Sequence, residues 1–201
     1  MGSTVFHLSS KLAEMGHRVT VITRRSGGNP PIVEGVSVIG VPWAKIPMSF
    51  TRSYGRHALR ELIKINERDN VDVVHLHCPM VSWDDKQFST CHSKVAPVVS
   101  SMHGTWLGER DGLLLSAKFG EPAVWSNPND IAIRFLAKRY AKFENSAVRN
   151  SAIIVPNSHA TKIDLETRYD APDNWDCEVV HWGVDTQMFV PPHRDSEDQA
   201  H

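Results

Sequence analysis

No pair of the form C-x-x-C occurs in this chain, and its three cysteines, Cys78, Cys91 and Cys177, lie far apart. That spacing excludes a zinc ribbon or a dithiol redox motif, and a scattered, odd set fits buried free thiols in a reducing compartment. Excess charge is missing too. Its 22 basic and 23 acidic residues leave a formal net charge of -1, without the basic stripe that nucleic-acid binding requires, so nucleic acid is not an expected partner. The longest apolar runs fall well short of the ~20 residues of a membrane helix, and the first residues hold no apolar core preceded by positive charge. Neither a spanning helix nor a secretory leader is expected, and a cytoplasmic protein is. No G-x-G-x-x-G follows a strand-like run, which argues against a dinucleotide enzyme. No Asp-x-Asp is present to hold a divalent cation, so no metal and no resident cofactor is expected. What is there is an ordinary soluble composition, 41% hydrophobic and 22% charged over 201 residues.

Val5, Leu8, Leu12 and Met15 recur at helical spacing and predict an amphipathic helix over 1–15. Ser3 or Thr4 is its expected N-cap, and Gly16 the glycine past its end. A strand follows over 18–23. An alternating α/β domain is expected to open with a strand and a glycine-rich turn, so a further strand and part of its loop are expected ahead of residue 1. Residues 26–31 (SGGNPP) read as a loop and 35–41 as a strand, with 43–50 irregular because Pro47 bars a helix interior. Tyr54, Ala58, Leu62 and Ile65 place a helix over 51–70, in which Gly55 is a weak point. The pattern continues with a strand at 71–77, a short helix within 79–95, a strand at 97–102 and a long irregular segment at 105–128. A helix capped by Asp130 then runs to Arg149, with Ile133, Leu136, Tyr140, Phe143 and Ala147 as its apolar stripe. A strand at 151–155, a helix at 158–169 and a last strand at 178–181 precede a polar tail, 191–201. Strands alternate with helices throughout. The expectation is one α/β domain over 1–190, a Rossmann-like doubly wound, mainly parallel sheet with helices on both faces.

In such sheets ligands bind beyond the carboxyl ends of the strands. The run PVVSSMHGTW (97–106) is a strand that breaks at His103-Gly104-Thr105, which sets His103 where chemistry or substrate contact occurs. The alternative is a histidine satisfied within its loop. Gly104 lets the backbone approach a ligand closely. Thr105 offers a hydroxyl, and Trp106 either an apolar face for a sugar or plain core packing. Asn157 and Ser158 stand where a strand ends and a helix opens, so free N–H groups there favour an oxygen-rich ligand. Ser158 is otherwise simply an N-cap. Gly2 and Ser3 would meet a phosphate at the first helix's amino end if the preceding loop were present. His75 and His77 form an H-x-H pair that faces one side of a strand, but no third metal ligand is evident nearby.

Four segments together resemble family 4 of the retaining glycosyltransferases: GSTVFHLSSKLAEMGHRVTVIT (2–23), VDVVHLH (71–77), VVSSMHGTW (98–106), and the closing pair IIVPNSHATKIDL (153–165) and VVHWGVDTQMFVP (179–191). The resemblance implies a two-domain GT-B fold of which this chain is the N-terminal, mainly acceptor-binding half. It implies a nucleotide-sugar donor and a glycan, lipid-linked or small-molecule acceptor. The donor would be held chiefly by a second, C-terminal domain carrying two glutamates eight positions apart. No two glutamates here have that spacing, so the chain alone is expected to be inactive. His103 matches the family histidine at the inter-domain cleft, which contacts the donor sugar. Trp182 replaces the asparagine usual before Gly183-Val184-Asp185, and Asp185 is expected to be a turn or cap residue. The basic residues of the helix at 131–149, Arg134, Lys138, Lys142 and Arg149, are either a solvated face or a contact for an anionic membrane carrying a lipid-linked acceptor. The reading from another class is a non-catalytic acceptor-binding or regulatory module that pairs with a separately encoded C-terminal domain.

Overall fold

A computed structural model of the chain describes residues 2–28, 32–121, 123–184, 186, 189 and 190. The end of the 26–31 loop, Asp185 and the polar tail lie outside the described residues. Helix α1 (Gly2–Glu14) already includes Gly2, so Ser3 and Thr4 sit in its first turn instead of capping it. Gly16, at φ 90°, ends it, and His17 N–H bonds back to the Leu12 carbonyl at 3.1 Å. This is the glycine-closed helix end that the sequence predicts.

Strand β1 (Val19–Arg24) pairs in parallel with β2 (Val36–Val41), Val21 opposite Val38. A second parallel sheet runs β3 (Val74–Cys78), β4 (Val98–Met102), β5 (Ile153–Pro156). Between and around them lie α2 (Ser49–Arg68), α3 (Asp85–Lys94), α4 (Trp106–Lys118), α5 (Ala123–Ser126), α6 (Pro128–Asn150) and α7 (His159–Arg168). The Rossmann-like α/β alternation is as expected. The single sheet is not: among the described residues no strand pairing joins β1–β2 to β3–β5. Tyr54 of α2 reaches across instead, its hydroxyl donating to the Ile22 carbonyl at 2.6 Å.

Burial is concentrated in the second sheet. Val74, Leu76, Val98, Met102 and Ile154 pack against Leu59 and Leu62 of α2, Phe88 of α3 and Leu165 of α7. A satellite cluster of Met48, Trp106, Ile133, Ala137 and Tyr140 joins the start of α4 to α6. In α1 only Ser9 is buried.

Four elements differ from the sequence reading. The irregular stretch 105–128 contains α4, whose hydrophobic period is broken by Gly108 and Gly112. Its ends were legible: the Thr105 hydroxyl accepts from Gly108 N–H at 2.9 Å, and Gly120 closes the far end at φ 80°. The cap of α6 is Asn127, with Pro128 in the first turn, and Asp130 lies inside the helix. Helix α3 starts only at Asp85, behind a capping box made by Asp84 and Gln87. The strand expected at 178–181 is not a strand. Its backbone follows β5, with Glu178 N–H on the Ile154 carbonyl and Val180 N–H on that of Pro156, each at 3.0 Å. Val180 remains 52% exposed, so no buried face holds this segment in a regular ladder.

Gly55 is a requirement, not a weak point. A Cβ there would meet Trp83 Cδ1 at 3.0 Å and the Ser82 carbonyl at 3.1 Å, while Trp83 Nε1 donates to the Gly55 carbonyl at 2.8 Å. Alanine would gain about 1 kcal/mol in helix propensity. Overpacking against the buried indole outweighs it, and Gly55→Ala is expected to lower stability by roughly 1–3 kcal/mol in urea unfolding. A variant more stable than the parent would contradict this packing.

Candidate active site

Parallel register brings three strand ends together. Cys78 of β3 lies opposite Met102 of β4, and Met102 opposite Pro156 of β5. The next residue of each strand continues the line: His103 N–H donates to the Cys78 carbonyl at 3.2 Å, and Asn157 N–H to the Met102 carbonyl at 3.1 Å. His103 is therefore fixed at the carboxyl edge of the sheet by backbone bonds before its ring makes any contact. Asn157 Nδ2 donates to the His103 carbonyl at 3.5 Å.

The rings of His103 and His77 lie nearly parallel at 6°, their centroids 5.2 Å apart, edge to edge with Nε2 of His103 2.9 Å from His77 Nδ1. His77 in turn stacks on His75 at 4.6 Å, as same-face residues of one strand must. His75 Nε2 is 2.7 Å from the Ser101 hydroxyl. Burial pushes the pKa of His77 down to about 3, with His75 and His103 adding repulsion, and burial also lowers His103. Two neutral imidazoles thus share one N–H···N hydrogen bond. The second nitrogen of His103, Nδ1, is buried without a partner among the described residues. It is left as a free donor or acceptor, according to which ring holds the shared hydrogen.

A depressed histidine pKa gives stability that is present above the unfolded value near 6.5 and lost as pH falls toward the folded one. The stability advantage of the parent over His77→Asn is accordingly expected to shrink between pH 7 and pH 4. An advantage that stays constant over that range would contradict the neutral pair.

A cavity of about 160 Å³ opens beside His103, lined by Phe50, Met80, Gly104, Trp106, Glu109 and Asn129 among others. Gly104 adopts φ 144°, a conformation in which any side chain is strained, although nothing crowds the space around it. Trp106 is 4% exposed, packing with Met48, Ile133 and Tyr140 while also lining the cavity. Its Nε1 is nonetheless buried without a partner among the described residues. Glu109 and Asn129 supply a carboxylate and an amide to its lining; Glu109 was hidden in the segment read as irregular, and Asn129 lies just past its end, in the first turn of α6. Trp182 lies beside His103, the two ring centroids 5.4 Å apart.

Three expected contacts are committed elsewhere. The Thr105 hydroxyl caps α4 and donates to Asp164 of α7. Ser158 caps α7, accepting from Thr161 N–H at 3.1 Å, and Asn157 Oδ1 accepts from the Thr161 hydroxyl at 2.9 Å. Gly2 and Ser3 are exposed at the amino end of α1 and do not line the cavity. The basic residues of α6 have separate surroundings. Arg134 lies 3.6 Å over Trp125, Lys142 sits on Phe143, and Arg149 pairs with Asp85 and Asp170. No described helix is long and apolar enough to cross a membrane.

A carboxylate under the site escaped the sequence reading. Glu144, 2% exposed, accepts from Trp106 N–H at 2.9 Å and from the Tyr169 hydroxyl at 2.6 Å. It satisfies the first free amide of α4 and so clamps the helix that follows His103. The signal was its place in α6, four residues after Tyr140 and three before Ala147 on the buried face.

Parallel strands flanked by helices match, in fold, the N-terminal Rossmann-like half of a GT-B glycosyltransferase. By its match to the model for Glycosyltransferase Family 4 over residues 1–188, the chain belongs to that family. It is 24% identical to a glycogen synthase of Mycobacterium tuberculosis (strain ATCC 25618 / H37Rv) over 94% of this chain and 45% of that protein. It is 26% identical to a D-inositol 3-phosphate glycosyltransferase of Pseudarthrobacter chlorophenolicus over 100% of this chain and 46% of that one. The chain spans about half the length of these relatives. In fold it is similar to a sucrose-phosphate synthase structure from Thermosynechococcus elongatus, with a TM-score of 0.60 at 12% identity, covering 92% of this chain and 86% of that one.

Proposed function

We propose that this chain is the acceptor-side half of a retaining glycosyltransferase that moves a sugar from a nucleotide-sugar to a glycan, lipid-linked or small-molecule acceptor. The observation that carries the reading is the His77–His103 pair at the carboxyl edge of parallel strands, with His103 Nδ1 buried and unpartnered beside a concave cavity. A cavity of about 160 Å³ is smaller than the ~300–1,000 Å³ of complete small-molecule sites, which supports one wall of a two-sided cleft. A second domain would supply the other wall and most of the donor contacts, leaving this chain inactive alone. The break between β1–β2 and β3–β5 supports a further strand joining the two pieces in the intact enzyme.

In this reading His103 Nδ1 holds a hydroxyl of the transferring sugar, while Glu109 and Asn129 take acceptor hydroxyls. The rate gain then comes from positioning and from preorganised polar groups in a water-poor cleft. Trp182, beside His103, would cover a bound sugar ring. The test is sugar transfer by this chain joined to the donor-binding half of a relative, with and without His103. Activity of the joined protein that depends on His103 is expected. Equal activity without His103 would overturn its assignment.

A further inference from the structure

We propose that the groove between α2, α3 and α6 is an anion site for a phosphorylated small molecule, separate from the His103 cavity. The groove has a volume of about 530 Å³, within the range of small-ligand sites, and shares no lining residue with the cavity at His103. Five cationic side chains line it against two carboxylates. Both carboxylates are already engaged: Asp84 pairs with Arg52, and Asp85 with Arg149 and Asn150. Three positive charges are left in excess, on Arg56, Arg139 and Lys142.

These three are not neutralised within the fold. Among the described residues, Arg56 and Arg139 have neither an ion pair nor a hydrogen bond, and the ammonium of Lys142 rests on the Phe143 ring at 4.9 Å. The same ring carries Arg52 at 4.7 Å, so two cations are held against one aromatic ring. Like charges gathered over a concave, partly apolar wall repel one another and focus a positive potential into the groove. An anion relieves that repulsion. Guanidinium forks fit the oxygens of a phosphate, and an ammonium adds a point charge. Hydroxyls stand ready beside them: Tyr140 Oη donates to Ser49 Oγ at 3.4 Å, leaving the Ser49 proton free for a ligand oxygen.

The probe is inorganic pyrophosphate, titrated calorimetrically into the 201-residue chain at low salt, with glucose 1-phosphate as the monoester. Saturable one-site binding is expected for both. Arg56→Gln with Arg139→Gln should weaken it at least tenfold, and Lys142→Gln alone several-fold. These residues are exposed, so the melting temperature should hold and separate lost binding from lost folding. His103→Ala should bind as the parent does. Equal binding by the arginine double variant, no binding by the parent, or loss of binding in His103→Ala would each overturn the assignment. So would binding to phosphatidylglycerol vesicles by a parent chain indifferent to both phosphates, which would make the surface a membrane contact.

Discussion

Glu144→Ala is expected to cost roughly 3–5 kcal/mol of stability, enough to leave α4 unanchored in a domain of ordinary stability. Truncation removes a side chain that is 2% exposed and strands two donors, the Trp106 amide and the Tyr169 hydroxyl. Each buried unsatisfied donor costs about 1–3 kcal/mol, and the cavity adds to it. Glu144→Gln behaves differently, because burial pushes the Glu144 carboxyl up to about 8 despite its two donors. A carboxyl raised in the folded state binds more protons folded than unfolded. Its contribution to stability therefore falls as pH rises from the ordinary carboxylate value near 4.5 toward 8. Glutamine copies the protonated acid, with its carbonyl accepting from Trp106 and its amide donating to the Tyr169 oxygen. The variant is expected to lack this pH dependence, and to gain on the parent by up to a few kcal/mol between pH 5 and pH 8, at about 1.4 kcal/mol per pH unit. Urea midpoints at several pH values measure it. A parent whose stability rises relative to Glu144→Gln over that range would show Glu144 charged at its station.

The second large effect is on activity. With the donor half joined, His103→Ala is expected to lower kcat/KM about 10²–10³-fold, the scale of removing one preorganised polar group from a reacting centre. His77→Ala is expected to cost less, because it frees the His103 ring to turn without removing it. Measured with saturating acceptor, the His103 loss should fall on kcat more than on KM, if the contact is made most strongly in the transition state, as the proposed role requires. A loss confined to KM would place His103 in ground-state binding only.

The parts of this fold that were readable were those where period and punctuation agree. Val98–Met102 is a run of small and β-branched residues broken off by His103-Gly104, and Ala58, Leu62 and Ile65 lie on the buried face of α2. Helix α4 was missed because Gly108 and Gly112 dilute its apolar period, although Thr105 and Gly120 marked its ends. In the site, His103 could be placed from one strand and the break after it. His77 could not, since its partnership with His103 depends on β3 lying beside β4 in register, which no local pattern encodes. Thr105 and Ser158 show the converse: each is a helix cap, and a cap and a ligand contact look alike in sequence. Glu144 stood in plain view on an apolar face, but only the fold shows that it meets a helix start.

The most direct test of the account is a calorimetric titration of the 201-residue chain with UDP- and GDP-sugars. An acceptor-side half with one wall of the cleft should bind none of them tighter than about millimolar, equivalent to roughly 4 kcal/mol. Micromolar binding that disappears with His103→Ala would put the donor site within this chain and contradict the division of labour proposed here.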